Sequence, residues 1–181
     1  MPPPPLILRP AAEADYHALC GLWRELDEHH RHARPDLFRL PAGPRRERGW
    51  VLEQIAGPAS VILVAQAAGG RLAGMACLKV EQPPELPVRI VRRHVELHNL
   101  VVARTFRRHG VGARLIEAAA RWAAAQGVAS LELTVHEFNR TALDFYEAAG
   151  FQTVRRRLSL PAQSIVHTAA VDAVGSERSP C

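Results

Sequence analysis

The chain has 181 residues, enough for one domain and short for two. Hydrophobic residues make up 48% and charged residues 23%, which supplies a sizeable core and excludes a chain disordered from end to end. The formal net charge of +5 is carried almost wholly by arginine, Lys79 being the only lysine, and it attracts polyanions of any kind (nucleic acid, anionic lipid, a phosphorylated cofactor) without choosing among them. Cys20, Cys77 and Cys181 are far apart and match no metal spacing. Cys20 and Cys77 read as buried small apolar residues and Cys181 as a terminal thiol, which suits a reducing compartment. The opening Met1-Pro2-Pro3-Pro4-Pro5 lacks the features of a signal peptide, and no apolar run reaches the roughly 20 residues of a membrane span, so a cytoplasmic protein is expected.

In chain order, residues 6–9 predict a short first strand, and residues 11–32 a helix with Leu19, Leu22, Trp23 and Leu26 at helical spacing. Pro35, Pro41 and Pro44 interrupt the chain. A second helix is expected over 44–55, stopped by Gly57-Pro58. Residues 60–67 and 72–80 read as two strands joined by the hairpin turn Ala68-Gly69-Gly70-Arg71. After a proline-bearing loop, residues 95–102 form another strand. A helix opens at Gly110, with Val111, Leu115, Ala118 and Trp122 on one face, and Gly127 closes it. Residues 128–135 alternate as a strand, and residues 141–149 as a helix, with Thr141 and Asp144 spaced as a capping box and Gly150 as a cap. Residues 151–160 read as a last strand, 164–174 as one more, and 175–181 as a frayed tail. This order implies an α/β (α+β) fold: a mixed, mostly antiparallel sheet of six or seven strands with helices on both faces, over a domain of residues 1–160 followed by residues 161–181.

Two segments carry chemistry. The first is Arg107-Arg108-His109-Gly110-Val111-Gly112, between a strand and a helix. A helix start presents N–H groups without partners and about half a positive charge, and glycines let a ligand approach the backbone. The turn is therefore suited to a pyrophosphate, or else is a plain connection with solvated arginines. It is neither a dinucleotide fingerprint nor a Walker loop. The second runs from His136 to Phe151. Asn139 stands two turns before Tyr146, and Ala142, Phe145, Tyr146 and Ala149 share a helix face. Asn139 can hold a strand-to-helix crossover or an amide-bearing ligand, or simply cap the helix. The Tyr146 phenol can give a proton to a leaving thiolate, or end as a core aromatic with its hydroxyl at the rim.

Taken together, residues 99–127 (NLVVARTFRRHGVGARLIEAAARWAAAQG) resemble the acetyl-CoA motif of the GNAT superfamily of N-acetyltransferases, and 131–151 resemble its following motif, N-x-x-A-x-x-F-Y-x-x-x-G-F. The similarity covers about residues 6–160. It implies that backbone groups of Leu100, Val101 and Val102 contact the pantetheine arm and the acetyl group. It further implies that amides among Arg107, Arg108, His109, Gly110, Val111, Gly112 and Ala113 hold the pyrophosphate, that Asn139 contacts the cofactor or braces splayed strands, and that Tyr146 protonates the departing thiolate. One departure is that Ala103 and Arg104 replace an acidic residue and a proline.

Acetyl-CoA is thus expected as co-substrate, without a metal, and a small-molecule or protein amine as acceptor. Glu96 and His98 are two apart on one strand and share a face unless a bulge intervenes, so either could serve as base. Glu132 and Thr134 are further candidates, and a dedicated base need not exist. His29, His30 and His32 line the acceptor side or face solvent. A silent acyl-CoA sensor and, less favoured, a nucleic-acid-binding module are the rival readings. A homodimer is compatible with such a fold.

Overall fold

The computed structural model describes residues 5–43, 46–84, 87, 88, 90 and 92–160. In chain order the elements are β1 (Leu6–Pro10), α1 (Tyr16–Ala33), α2 (Arg48–Ala56), β2 (Ser60–Ala67), β3 (Leu72–Glu81), β4 (His94–Val102), α3 (Val111–Ala125), β5 (Leu131–Glu132) and α4 (Arg140–Ala148). The sheet order is β1-β2-β3-β4-β5, antiparallel except for the parallel pair β4 and β5. The chain divides into two compact units, Met1–Ala149 and Gly150–Cys181. In the second, residues 150–160 are described and carry no helix or strand.

Within the first unit the central strands are apolar on both faces. Val61, Leu63 and Ala65 of β2 join one buried cluster with Val111, Leu115, Ala119 and Ala123 of α3. Ile62 and Val64 join the other with Leu19, Leu22 and Trp23 of α1 and Val51 of α2. A strand covered on both faces reads as a continuous apolar run, which is why residues 60–67 show no polar alternation. The buried stripe of α3 runs 111, 115, 119, 123; Ala118 and Trp122, expected on it, are only partly buried. The β2–β3 turn has Gly69 at φ +79° and Gly70 at φ +84°, the left-handed pair that a tight hairpin demands.

Several expectations are corrected. The described sheet has five strands, not six or seven. The strand expected over 128–135 pairs only at Leu131 and Glu132. The one expected over 151–160 is not formed: Val154, Leu158 and Leu160 are exposed. Alternation assigns a side chain to a face but supplies no neighbour to bond with. α2 begins at Arg48, and Pro44 and Arg45, where its start was expected, lie outside the described residues. α4 is capped by Asn139, whose Oδ1 accepts from the Ala142 N–H at 3.3 Å, so no capping box runs from Thr141. Arg155, Arg156 and Arg157 are exposed on a segment that is not a strand. Residues 161–181, with the strand expected over 164–174, lie outside the described residues.

Candidate functional site

The β3–β4 ladder slips by one residue. Cys77 faces Asn99 and Leu78 faces Leu97, which leaves His98 as an extra, bulged residue. Before the bulge, Val95 and Leu97 face α3; after it, Leu100 and Val102 do, while Val101 faces α1. The β4–β5 ladder ends just ahead of the bulge, at Glu96 and Glu132. From His98 onward β4 has β3 on one side and, among the described residues, no strand on the other. The Ala103 N–H donates to the Ala73 carbonyl at 2.9 Å, and hydrogen-bonded pairs alternate along an antiparallel ladder. Val101 therefore bonds to β3, and the N–H and C=O of Leu100 and Val102 point to the open edge. Of the three residues expected to contact the pantetheine arm, Leu100 and Val102 turn their main-chain groups to the open edge and Val101 turns its own to β3.

Beyond β4 the chain turns into α3. Arg108 and Gly110 both take left-handed backbone, φ +65° and +74°. For Gly110 this has no steric cost; for Arg108 it costs about 1 kcal/mol or more. The first bond of α3 runs from the Arg114 N–H to the Gly110 carbonyl at 3.2 Å. The N–H groups of Val111, Gly112 and Ala113 lie ahead of it, at the positive end of the helix dipole. Arg107, Arg108, His109 and Gly110 are exposed, and a Cβ at Gly110 would meet nothing within 4 Å. The helix start is open and can accept an anion.

Glu25 of α1, a residue that sequence reading did not single out, ties this turn down. Its Oε2 accepts from the Arg104 N–H at 2.9 Å and lies 3.6 Å from the Arg107 guanidinium. An acidic group thus reaches the turn from α1, where the sequence has Ala103 and Arg104. Nothing in a separation of 79 residues announces the contact. Arg107 Nε also donates to the Val102 carbonyl at 3.1 Å, so a ligand amide using that carbonyl shares it with the guanidinium or displaces it. The His109 ring nitrogen Nδ1 lies 2.7 Å from the Arg107 carbonyl.

Gly112 also has a packing reason to lack a side chain. A Cβ there would stand 3.1 Å from Phe145 Cζ and 3.7 Å from Val102 Cγ2. The missing side chain lets α4 pack against the start of α3 beside the end of β4. The next residue, Tyr146, packs partly buried on the α3-side cluster with Leu100 and Val102. Burial pushes its phenol up to about 12. Asn139 acts as the α4 cap, with its Oδ1 on the helix.

The candidate bases do not share a simple strand face, because the bulge falls on His98. Glu96 is the more buried. Loss of water raises its pKa; neighbouring His98 and His94 oppose the rise, and Glu132 and Glu81 add to it. His94 Nε2 lies 3.7 Å from Glu96, and His98 Nε2 lies 3.8 Å from Glu81. Glu132 accepts from Ser130 Oγ at 3.0 Å, and Thr134 is exposed. The Trp23 indole N–H donates to Asn99 Oδ1 at 3.0 Å and pins the residue after the bulge to α1.

His30 stacks on Phe38 with ring centres 5.0 Å apart, and His136 on Phe138 at 5.1 Å; the two pairs meet edge to face. Burial lowers the His30 pKa, and His29 and His136 add to the fall. His29 and His32 are exposed. Cys77 is buried, its thiol pushed up to about 12, while Cys20 is only half-buried. Among the described residues no cluster of three metal-ligating side chains occurs, and no helix is long and apolar enough to cross a membrane.

Residues 23–151 match the model of the Acetyltransferase (GNAT) family. No curated protein matches the chain. Among solved structures, a tetramutant of the BH1408 protein from Bacillus halodurans superposes with a TM-score of 0.80 at 28% identity, over 86% of this chain and 99% of that one. An acetyltransferase from Trypanosoma brucei gives 0.64 at 23% identity, over 87% and 99%. The aminoglycoside N-acetyltransferase AAC(6')-Iy in complex with CoA gives 0.67 at 18% identity, over 88% and 95%. At those identities the last two establish the fold alone.

Proposed function

This chain belongs to the Acetyltransferase (GNAT) family, and from that premise we propose that it is an N-acetyltransferase, which moves the acetyl group of acetyl-CoA directly to a primary amine. The observation that carries the reading is the convergence at Gly112. The start of α3, the end of the open β4 edge and the Phe145-Tyr146 pair of α4 all meet there. The fold's occurrence in AAC(6')-Iy with CoA is consistent with it.

In this reading the N–H groups of Val111, Gly112 and Ala113, with those of Arg108, His109 and Gly110, hold the diphosphate. Arg107 leaves the Val102 carbonyl and turns to the same anion. The main-chain groups of Leu100 and Val102 bond to the pantetheine amides, and Asn139 braces the crossover into α4. Acetyl-CoA supplies an activated acyl group, the thioester. The acceptor nitrogen attacks its carbonyl carbon, forming the C–N bond. The Leu100 N–H stabilises the negative charge that develops on oxygen. As the C–S bond breaks, the sulfur takes the Tyr146 proton. The nitrogen's proton leaves through Glu96 or His98, directly or by water. Holding both reactants removes an entropic barrier of several kcal/mol, of order 7–11 at the upper limit.

The high phenol pKa has a functional consequence. An alkylammonium loses its proton near pH 10, and Tyr146, at about 12, still holds its own there. Activity is expected to rise with pH toward the acceptor's pKa with no fall before about pH 10. A downturn below about pH 9 that disappears in Tyr146→Phe would assign that titration to the phenol and contradict its raised pKa.

The reading as a whole is tested by free-thiol release from acetyl-CoA over a panel of amines, with melting temperature followed in parallel. Stabilisation by acetyl-CoA and amine-dependent thiol release are expected. Stabilisation without release from any amine would mark a silent binder instead.

A further inference from the structure

We propose that the acceptor is a small amine that also carries a carboxylate, an amino acid in size and charge, held in the cavity between α2 and the sheet. The proposal rests on the acetyl-transfer reading and names the substrate class of that site.

The cavity has a volume of about 380 Å³, at the small end of ligand pockets. Its polar lining is Arg46, Gln54, Lys79, His98 and Asn99, with Trp50 as its aromatic wall. His98 and Asn99 are the bulged residue of β4 and the one after it, so the cavity ends one residue short of the open edge at Leu100. Two lining residues, His98 and Asn99, thus lead directly in the chain to Leu100, the proposed oxyanion donor.

The charges are asymmetric. Arg46 and Lys79 line the cavity, and among the described residues no carboxylate does. Their acidic neighbours stand outside the lining: Asp27 lies 3.6 Å from Arg46, and Glu81 lies 2.9 Å from Lys79. A polycationic acceptor would meet two like charges in the cavity. A carboxylate would form charge-assisted hydrogen bonds with them. Toward the start of β4 the sign reverses: Glu96 lies opposite Lys79 in the ladder, and Glu81 approaches His98 at 3.8 Å. The lining is thus cationic at Arg46 and Lys79, and the carboxylates that an ammonium would meet, Glu81 and Glu96, adjoin Lys79 just outside it. Trp50, 41% exposed, offers a ring face to an apolar side chain. In the reaction the α-nitrogen bonds to the acetyl carbon as the carbon–sulfur bond breaks. The nitrogen's proton passes to the base and the thiolate takes the phenol's, giving an N-acetyl amino acid and free CoA thiol.

The test compares L-phenylalanine, L-phenylalaninamide and spermidine as acceptors for the wild type, Arg46→Gln and Lys79→Gln. Calorimetric binding of N-acetyl-L-phenylalanine and its amide is measured alongside. The wild type is expected to use the acid at least about tenfold better than spermidine, and to bind the N-acetyl acid at least about tenfold tighter than its amide. Each substitution should cut the acid-to-amide ratio about fivefold or more, leaving the acetyl-CoA melting shift in place. Comparing ratios between variants cancels the different basicities of the two amines. Lys79 is half exposed, so its variant gives an answer even where Arg46→Gln does not fold. Preference for spermidine, or an acid-to-amide ratio that neither substitution changes, overturns the carboxylate assignment and leaves acetyl transfer standing. Selective binding of the N-acetyl acid, lost in the variants, without thiol release from any amine, supports the cavity assignment while removing the transfer reading.

Discussion

Tyr146→Phe is expected to lower the rate of amine-dependent thiol release by about 10²–10⁴-fold, the range for a positioned general acid, or about 3–5 kcal/mol of transition-state stabilisation. The substitution removes one oxygen from a ring that is packed by its neighbours, so α4 keeps its place against α3. The melting shift produced by acetyl-CoA should therefore survive. Loss of rate and shift together would point to a structural role. A rate that is unchanged would mean that the sulfur departs without this proton. Burial holds the phenol at about 12, so folding favours its protonated form. Phenolate forms from about pH 10 in the unfolded chain but only near 12 in the folded one, so this group's contribution to stability is full below pH 10 and is lost as pH rises through 12.

Gly74→Val is expected to have the largest effect on stability. A Cβ at position 74 would lie 2.6 Å from the Val101 carbonyl oxygen, with Leu115 Cδ1 at 3.1 Å and Val111 Cγ1 at 3.3 Å behind it. The nearest obstacle is backbone in a paired strand, which cannot rotate aside as a side chain does. The cost is about 3 kcal/mol or more, a fall of roughly 6–12 °C in melting temperature for a chain of this length. The strain falls on β4 between the two residues whose groups reach the open edge. A destabilised but folded variant should accordingly lose acetyl-CoA affinity as well. Gly110→Ala is the contrast: nothing stands within 4 Å, and the cost is that of left-handed backbone, about 1 kcal/mol.

Local signals were legible in the sequence where the cause of structure is itself local. The two glycines at 69 and 70, the glycine that opens the helix at 110 and the caps at 127 and 150 all take left-handed backbone. The apolar runs of β2 and β3 are central strands because nothing polar interrupts them. What was not legible depends on partners remote in the chain. The bulge at His98 comes from how β3 and β4 register, and it alters the relation between Glu96 and His98. The three-residue block at 100–102 looks uniform in sequence, yet only alternate residues face the open edge. Gly112 reads as a ligand contact in its motif, and its packing against Phe145 is not announced there. Glu25 and Trp23 reach the site from α1, and no local pattern marks them. The strand expectation for 151–160 failed likewise, since a strand needs a neighbour to pair with and none pairs there among the described residues.

In the proposed complex the start of α3 and the open edge of β4 form one continuous binding surface. Amide chemical shifts, followed while CoA is titrated into the isotope-labelled protein, address it most directly. Saturating shifts are expected at Val111, Gly112 and Ala113 together with Leu100 and Val102, and only small ones on β1 and β2. Binding whose shifts bypass both segments, or no binding at millimolar CoA, would contradict it.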